Sequence, residues 1–504
     1  MPRMCRTALT VLTCLLLLAG LVSAQELQLD VKEHELGNGL QVLVVERHDT
    51  PRIACRLAFA VGAVNEQEGR SGIAHLLEHM MFKGTRTLGT RDVDREQSLM
   101  AQIDAQMARI DALRGNDDDA SRQRKAALMA GYHDLLARQR DLIVSNEVHR
   151  VYQTAGATGL NAFTSYDRTV YTVEVPSNKL ELFMWVDSDR MANPVFREFY
   201  SERDVVLDEW RRRMESNPYG PFYERLNAVF YTSHPYRRPV LGWLWDVERL
   251  SRADAAEFFA THYIPANATL VLVGDVVAEE AFAMAERYFG RIPAKPGTAP
   301  RITREPEQGG ERRLAMRAQA QQQVLIQYHT PQFTHPDSPA LEVAADVLNG
   351  RSGRLYKDLV LDKDIALSAG AWASAQRHTG EFGLRGQVKE GHTHQEVEAA
   401  LLAQAALLVA EPPTEHEMGR VRNAIEADFV DGLRTNGGIA GQLAHYATIG
   451  DWNLLMSRID SLKAVTPDDV ARVAERYLTE SNRTVGWLLQ ETPPTDPAAG
   501  GDAQ

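Results

Sequence analysis

Near the end of each half of this 504-residue chain stands the same kind of segment. "HYIPANATLVLVGD" (262–275) and "RYLTESNRTVGWLLQ" (476–490) share a Tyr and an Asn-x-Thr at nearly matching offsets, and each follows a stretch of helical pattern. Similarity on this scale implies two structurally similar halves of roughly 220 to 270 residues, and a chain this long exceeds what one hydrophobic core supports. The expected fold is α+β, with two similar α/β domains, each a sheet packed by helices. Residues 291–312, "RIPAKPGTAPRITREPEQGGER", are rich in Pro, Gly and charge and read as the linker. They divide the chain into a first domain over 25–290, a second over 313–490 and a disordered tail over 491–504.

Within the first domain, residues 36–66 carry two β-rich runs around a polar turn and read as paired strands. A helix through His75 to Met81 follows. Leu99, Ile103, Met107, Ile110 and Leu113 then recur at helical spacing, and "GNDDDAS" (115–121) interrupts before helix resumes near Arg124. Residues from about 92 to 146 thus read as a helical-hairpin insertion. Strand character returns over 157–176, helices fill about 178–231, and "NATLVLVGDV" (267–276) reads as a buried strand.

Residues 1–24 stand apart. Arg3 and Arg6 precede a short apolar run ending in Val22-Ser23-Ala24, the pattern of a cleaved signal peptide, so the mature protein is expected to be exported, periplasmic or secreted. The run is too short and wrongly flanked for a membrane span, and no span is expected after its removal. Arg3 and Arg6 leave with it, taking the formal net charge from −13 to about −15. Such acidity argues against nucleic acid or an anionic membrane surface as partner and suits a basic substrate. Cys5 and Cys14 leave too, and Cys55 alone can form neither an internal disulfide nor a thiolate metal cluster.

The chemistry is concentrated in "SGIAHLLEHMMFKGT" (71–85). On a helix, His75, Glu78 and His79 fall within an arc of about 100°, so both imidazoles can reach one cation with the Glu78 carboxylate beside it. A catalytic zinc takes three protein ligands and keeps one position open, and it acidifies water whose proton a nearby carboxylate removes. Glu78 is placed to be that base, in the H-x-x-E-H order of the inverzincins. Two inert, hydrogen-bonded histidines on a polar face are the alternative. "SERDVVLDEWRRRMES" (201–216) adds Glu202 and Glu209, two turns apart on one helix face. One of these carboxylates can bind metal while the other orients the site, although a charged helix of this kind is also an ordinary solvated face.

H-x-x-E-H after a strand pair, N-A-F-T-S leading a strand, and E-R-x-V-V-x-x-E together resemble the pitrilysin/insulinase family of zinc peptidases, which includes the mitochondrial processing peptidase and insulin-degrading enzyme. "HPYRRPVLGW" (234–243) and "YIPANATLVLVGDV" (263–276) are similar to stretches found there, and the resemblance covers most of residues 30–490. It implies one zinc per chain held by His75, His79 and Glu209, with Glu78 as general base and Glu202 supporting catalysis without binding metal. It also implies that Asn161, Ala162 and Phe163 form an edge strand against which an extended peptide pairs by main-chain hydrogen bonds.

The family's active enzymes carry an Arg and, seven residues on, a Tyr in the distal half, facing the zinc site to support the oxyanion. In "SGRLYKDLVLDKDIALSAGA" (352–371) those places hold Val360 and Leu367. The second half has no H-x-x-E-H; "HTHQE" (392–396) fails the spacing and reads as a surface loop. The resemblance therefore implies a zinc endopeptidase acting on peptides or small unfolded proteins, as a homodimer or with a related subunit that supplies Arg and Tyr. A catalytically silent assembly subunit and a periplasmic metal-binding protein are the alternatives.

Overall fold

The structure, a computed structural model, describes residues 29–295 and 301–491. The signal-peptide segment and the tail from residue 492 lie outside the described residues. In the first half, β1 (Lys32–Glu35), β2 (Gln41–Glu46), β3 (Arg52–Phe59), β4 (Thr158–Thr164), β5 (Thr169–Pro176) and β6 (Ala268–Gly274) form one sheet in the order β1-β2-β6-β3-β5-β4. β2 and β3, expected to pair with each other, do not. β6 lies between them, parallel to β2 and antiparallel to β3. The reason is composition: all seven residues of β6 are buried, so it takes a central place with both edges paired. The polar β1 takes the outside of β2 instead.

The second half repeats this plan. β7 (Arg312–Ala318), β8 (Gln323–Thr330), β9 (Ala366–Ala375), β10 (Gly380–Val388) and β11 (Arg483–Gln490) run in the order β7-β11-β8-β10-β9. The last strand again enters the middle, parallel to β7 and antiparallel to β8. Apart from β1 the two sheets match strand for strand, giving an α+β chain of two similar domains. The two similar segments that end each half are the central strands β6 and β11.

The first half carries helices α1 (Ile73–Met80), α2 (Val93–Asp111), α3 (Asp119–Arg140), α4 (Glu147–Thr154), α5 (Leu180–Ala192), α6 (Phe199–Met214), α7 (Gly220–Phe230), α8 (Arg252–His262) and α9 (Ala278–Tyr288). The second carries α10 (Ser338–Leu348), α11 (His394–Ala410), α12 (Glu415–Gly432), α13 (Asn436–Ile449), α14 (Leu454–Lys463) and α15 (Pro467–Tyr477). α2 and α3 pack on each other, started by Asp92 and Asp118, whose carboxylates accept from the Arg95 and Ser121 N–H at 3.1 and 2.9 Å. "HTHQE" is not a surface loop. Thr393 and Glu396 form the capping box that begins α11, and His394 is buried with Nε2 2.9 Å from the Leu488 carbonyl oxygen.

The sheets are covered crosswise. α1, α5 and α9 pack on one side of the first sheet, but its other side is covered by α13 from the second half. Leu43, Val45, Val271 and Val273 meet Ile439, Ala440, Leu443 and Ala444 there. Conversely, Phe222 and Leu226 of α7 pack against Leu325 and Leu488 of the second sheet. Each such Leu, Ile, Val or Phe side chain contributes on the order of 1.5–3 kcal/mol by leaving water.

At the seam, Phe230 stacks on His329 with ring centroids 3.9 Å apart and planes 10° from parallel. Burial pushes His329 and His234 down to about 4, so the fold holds both rings neutral. Their contribution is intact above the unfolded-state value of about 6.5 and is lost as pH falls toward 4, because the unfolded chain takes up protons first. For His329 the loss is at most about 3 kcal/mol. His329→Phe keeps the stack and is expected to flatten this part of the profile, read as urea midpoints of both proteins from about pH 7 to 4.

Candidate metal centre

α1 begins where two chain segments cross at van der Waals distance. Gly72 has φ +87°, and a Cβ on it would lie 2.5 Å from the Leu241 carbonyl oxygen. A Cβ on Gly242, at φ +79°, would lie 2.4 Å from the Ser71 carbonyl oxygen. The first N–H groups of the helix, which have no partner inside it, find carboxylates. Glu66 accepts from Gly72 and Ala74 at 3.0 Å each, and Asp246 accepts from the Ser71 N–H at 3.2 Å and from its hydroxyl at 2.6 Å. The Ser71 hydroxyl in turn accepts from the Trp243 N–H at 2.9 Å. The "HPYRRPVLGW" stretch thus fixes where the histidine-bearing helix starts and points.

α1 packs on α6. Among the described residues His75, His79 and Glu209 form the one group whose ligand atoms all lie within 4.8 Å of one another. Glu209 Oε2 is 3.6 Å from His75 Nε2 and 3.8 Å from His79 Nε2. These separations exceed hydrogen bonds and approach the roughly 3.3–3.5 Å between ligands of one tetrahedral zinc. His75 fits the ion in protonation as well. Burial first, then the neighbouring His79 and Arg213, push His75 down to about 3, leaving a neutral ring whose buried Nδ1 has no partner among the described residues. Burial works to lower His79, but its hydrogen bond to Glu202 and the surrounding carboxylates outweigh this and leave it raised.

Glu78 is not among the three converging groups. Its Oε2 accepts from the Thr164 hydroxyl at 2.7 Å, and burial raises its carboxyl above the usual carboxylate range. Glu202 Oε2 lies 3.4 Å from His79 Nδ1, on the ring's far side from Glu209. Burial would raise Glu202, but His79 and Lys83 outweigh it and hold it low.

Among the described residues β4 pairs only with β5, which leaves its outer edge free. Asn161 and Phe163 are exposed on it, whereas Ala162 is buried. A polar cleft of about 510 Å³ joins Asn161 to Glu78, His79, Phe82, Lys83 and His149, and every residue lining it belongs to the first half. Val360 is half-buried against the second core, and Leu367 is exposed on β9, the corresponding edge strand of the other sheet.

Sequence reasoning passed over three side chains here. Arg213 Nη2 donates to Glu209 Oε1 at 2.7 Å, the ammonium of Lys83 meets Glu202, and Thr164 holds Glu78. Two of them had a signal: Lys83 stands four residues after His79 and Arg213 four after Glu209, one helical turn in each case.

Fold and site together define a class. The family model "Insulinase (Peptidase family M16)" matches residues 41–109 and 143–243, and "Peptidase M16 inactive domain" matches 249–425. The chain belongs to peptidase family M16. Residues 110–142, the end of α2 with α3 and the loop that joins them, fall outside both matches. The chain is 26% identical to the zinc protease PqqE of Helicobacter pylori over 94% of this chain and 96% of that one. It is 24% identical to a probable mitochondrial-processing peptidase subunit beta of Arabidopsis thaliana, over 91% and 78%. Among solved structures, a protease from Helicobacter pylori superposes with TM-score 0.76 at 24% identity, covering 92% of this chain and all of that one. The periplasmic protease PqqL of Escherichia coli has TM-score 0.69 at 17% identity, and this chain spans half its length. These two superpositions speak to the fold. Among the described residues no helix is long and apolar enough to cross a membrane.

Proposed function

We propose that the chain is a zinc-dependent endopeptidase acting on peptides or small unfolded proteins. The observation that carries this reading is the convergence of His75, His79 and Glu209 with the Glu78 carboxylate on the same helix. Zinc bound there would supply Lewis acidity, lowering the pKa of water and polarising the scissile carbonyl. The chain's own residues do the rest. Thr164 occupies one oxygen of Glu78, leaving the other to take a proton from the attacking water and return it to the leaving amine. Glu202 orients the His79 ring through Nδ1. An extended peptide adds to the free edge of β4 along Asn161–Phe163, so that main-chain hydrogen bonds align its scissile bond with α1.

Neither Val360 nor Leu367 can donate to an oxyanion, and the cleft draws nothing from the second half. We therefore read the working form as two chains facing each other, either a homodimer or a pair with a related subunit that supplies Arg and Tyr. The sequence of residues 1–24 supports export of the mature chain.

The test is cleavage of a fluorogenic peptide mixture by the purified chain, before and after stripping with a chelator, with the sedimenting species identified. Chelation is expected to reduce cleavage to background and added zinc to restore it. Activity that outlasts complete metal removal sinks the peptidase reading. Full-rate cleavage by a monomer sinks the pairing alone.

A further inference from the structure

Polar groups continue beyond His79, away from the converging ligands. Lys83 ends the 3-10 turn, Met81–Lys83, that extends α1. Its ammonium contacts Glu202 Oε1 and lies 3.5 Å from Glu198 Oε2, with 23% of the side chain exposed. Glu202 is thus held between two nitrogens, Lys83 Nζ on one oxygen and His79 Nδ1 at 3.4 Å on the other, while His79 Nε2 turns to Glu209.

The Lys83 backbone is fixed in its turn. Arg197, only 1% exposed, donates from Nη1 to the carbonyl oxygens of Lys83 and Leu88, and from Nη2 to that of Thr85. Its Nε donates to Glu96 of α2 at 3.1 Å, and Gln139 of α3 donates to the same carboxylate at 3.3 Å. These contacts join the helical hairpin to the Lys83 backbone, and the Lys83 side chain carries the connection on to Glu202 and the ring of His79.

We propose that Lys83 is a positioning residue of the metal centre. By holding Glu202 against His79 Nδ1 it fixes that ring with Nε2 toward the ion, and the Arg197–Glu96 pair lets the hairpin brace Lys83. The proposal rests on the metal-binding reading above. Its physical basis is that a ligating imidazole is fixed in tautomer and direction by the partner of its other nitrogen. A carboxylate that loses its lysine partner is free to swing toward solvent and releases the ring.

The test measures zinc affinity of the full chain by competition with a chromogenic chelator, and the visible absorption of the cobalt-loaded protein. Lys83→Met is expected to weaken zinc binding about tenfold or more and to change the cobalt bands, with the unfolding midpoint of the metal-free protein unchanged. Lys83→Arg, which keeps the charge, is expected to stay within about threefold of wild type. Glu198→Gln, which leaves the Lys83–Glu202 contact in place, is expected to do the same. Lys83→Gln takes the place of the methionine variant if that one does not fold. Wild-type affinity in Lys83→Met, or an equal loss in Glu198→Gln, overturns the proposal. Absence of zinc binding by the wild type overturns the metal reading itself, a separate result.

Discussion

Glu78→Gln is expected to bind zinc as the wild type does and to lose turnover by about 10²- to 10⁴-fold, the usual contribution of a positioned general base. The substitution keeps the shape of the side chain and replaces a proton acceptor with an amide. Thr164 can still donate to the amide oxygen, so the local packing between α1 and β4 has no reason to change. His75, His79 and Glu209 are untouched, and the ion's three protein ligands remain. Zinc content per chain and kcat on a fluorogenic peptide, measured on the same preparation, separate the two effects. Retained turnover removes Glu78 from the mechanism. Lost zinc makes it a ligand instead.

Asp187→Ala is expected to destabilise the fold by about 3–5 kcal/mol, the cost of leaving a buried charge without its partner. Asp187 and Arg190 are adjacent turns of α5, 3% and 1% exposed, with Nη1 2.7 Å from Oδ1. The Tyr152 hydroxyl donates to the other carboxylate oxygen. Arg190 also donates from Nε to the Met81 carbonyl oxygen at 2.8 Å and lies over the rings of Phe82 and Tyr171 at 4.9 Å. Its buried Nη2 already has no partner among the described residues, and none of them offers a spare acceptor when the carboxylate is removed. The double variant Asp187→Leu/Arg190→Met is expected to recover much of the loss, because it removes both charges. Thermal and urea unfolding check both. An unchanged midpoint in the single variant would show that the guanidinium reaches water.

Local periodicity carried most of what could be read in advance. A step of four residues puts His75 and His79 on one helix face, and a step of seven does the same for Glu202 and Glu209, whatever surrounds them. Strand neighbours are another matter. β6 comes more than two hundred residues after β2 and β3 and still separates them, because a wholly buried strand gains most where both faces are covered. An amphipathic pattern says that a helix buries a face, not which sheet receives it, so α7 and α13 gave no sign of crossing. Lys83 and Arg213 stand in last turns, where solvated charges end most helices, so sequence alone does not set them apart. "HTHQE" is different: its Thr-x-x-Glu is a helix-start signal in plain view, independent of the histidine spacing.

Because α7 and α13 each complete a sheet in the opposite half, neither half covers both faces of its own sheet. Expressed alone, the first would offer Leu43, Val45, Val271 and Val273 to water, and the second Leu325 and Leu488. A protease cutting between residues 291 and 311 would sever the polypeptide without separating the particle. The molecule is in effect an obligate dimer written on a single strand, in which the covalent connection provides proximity and the exchanged helices provide the grip.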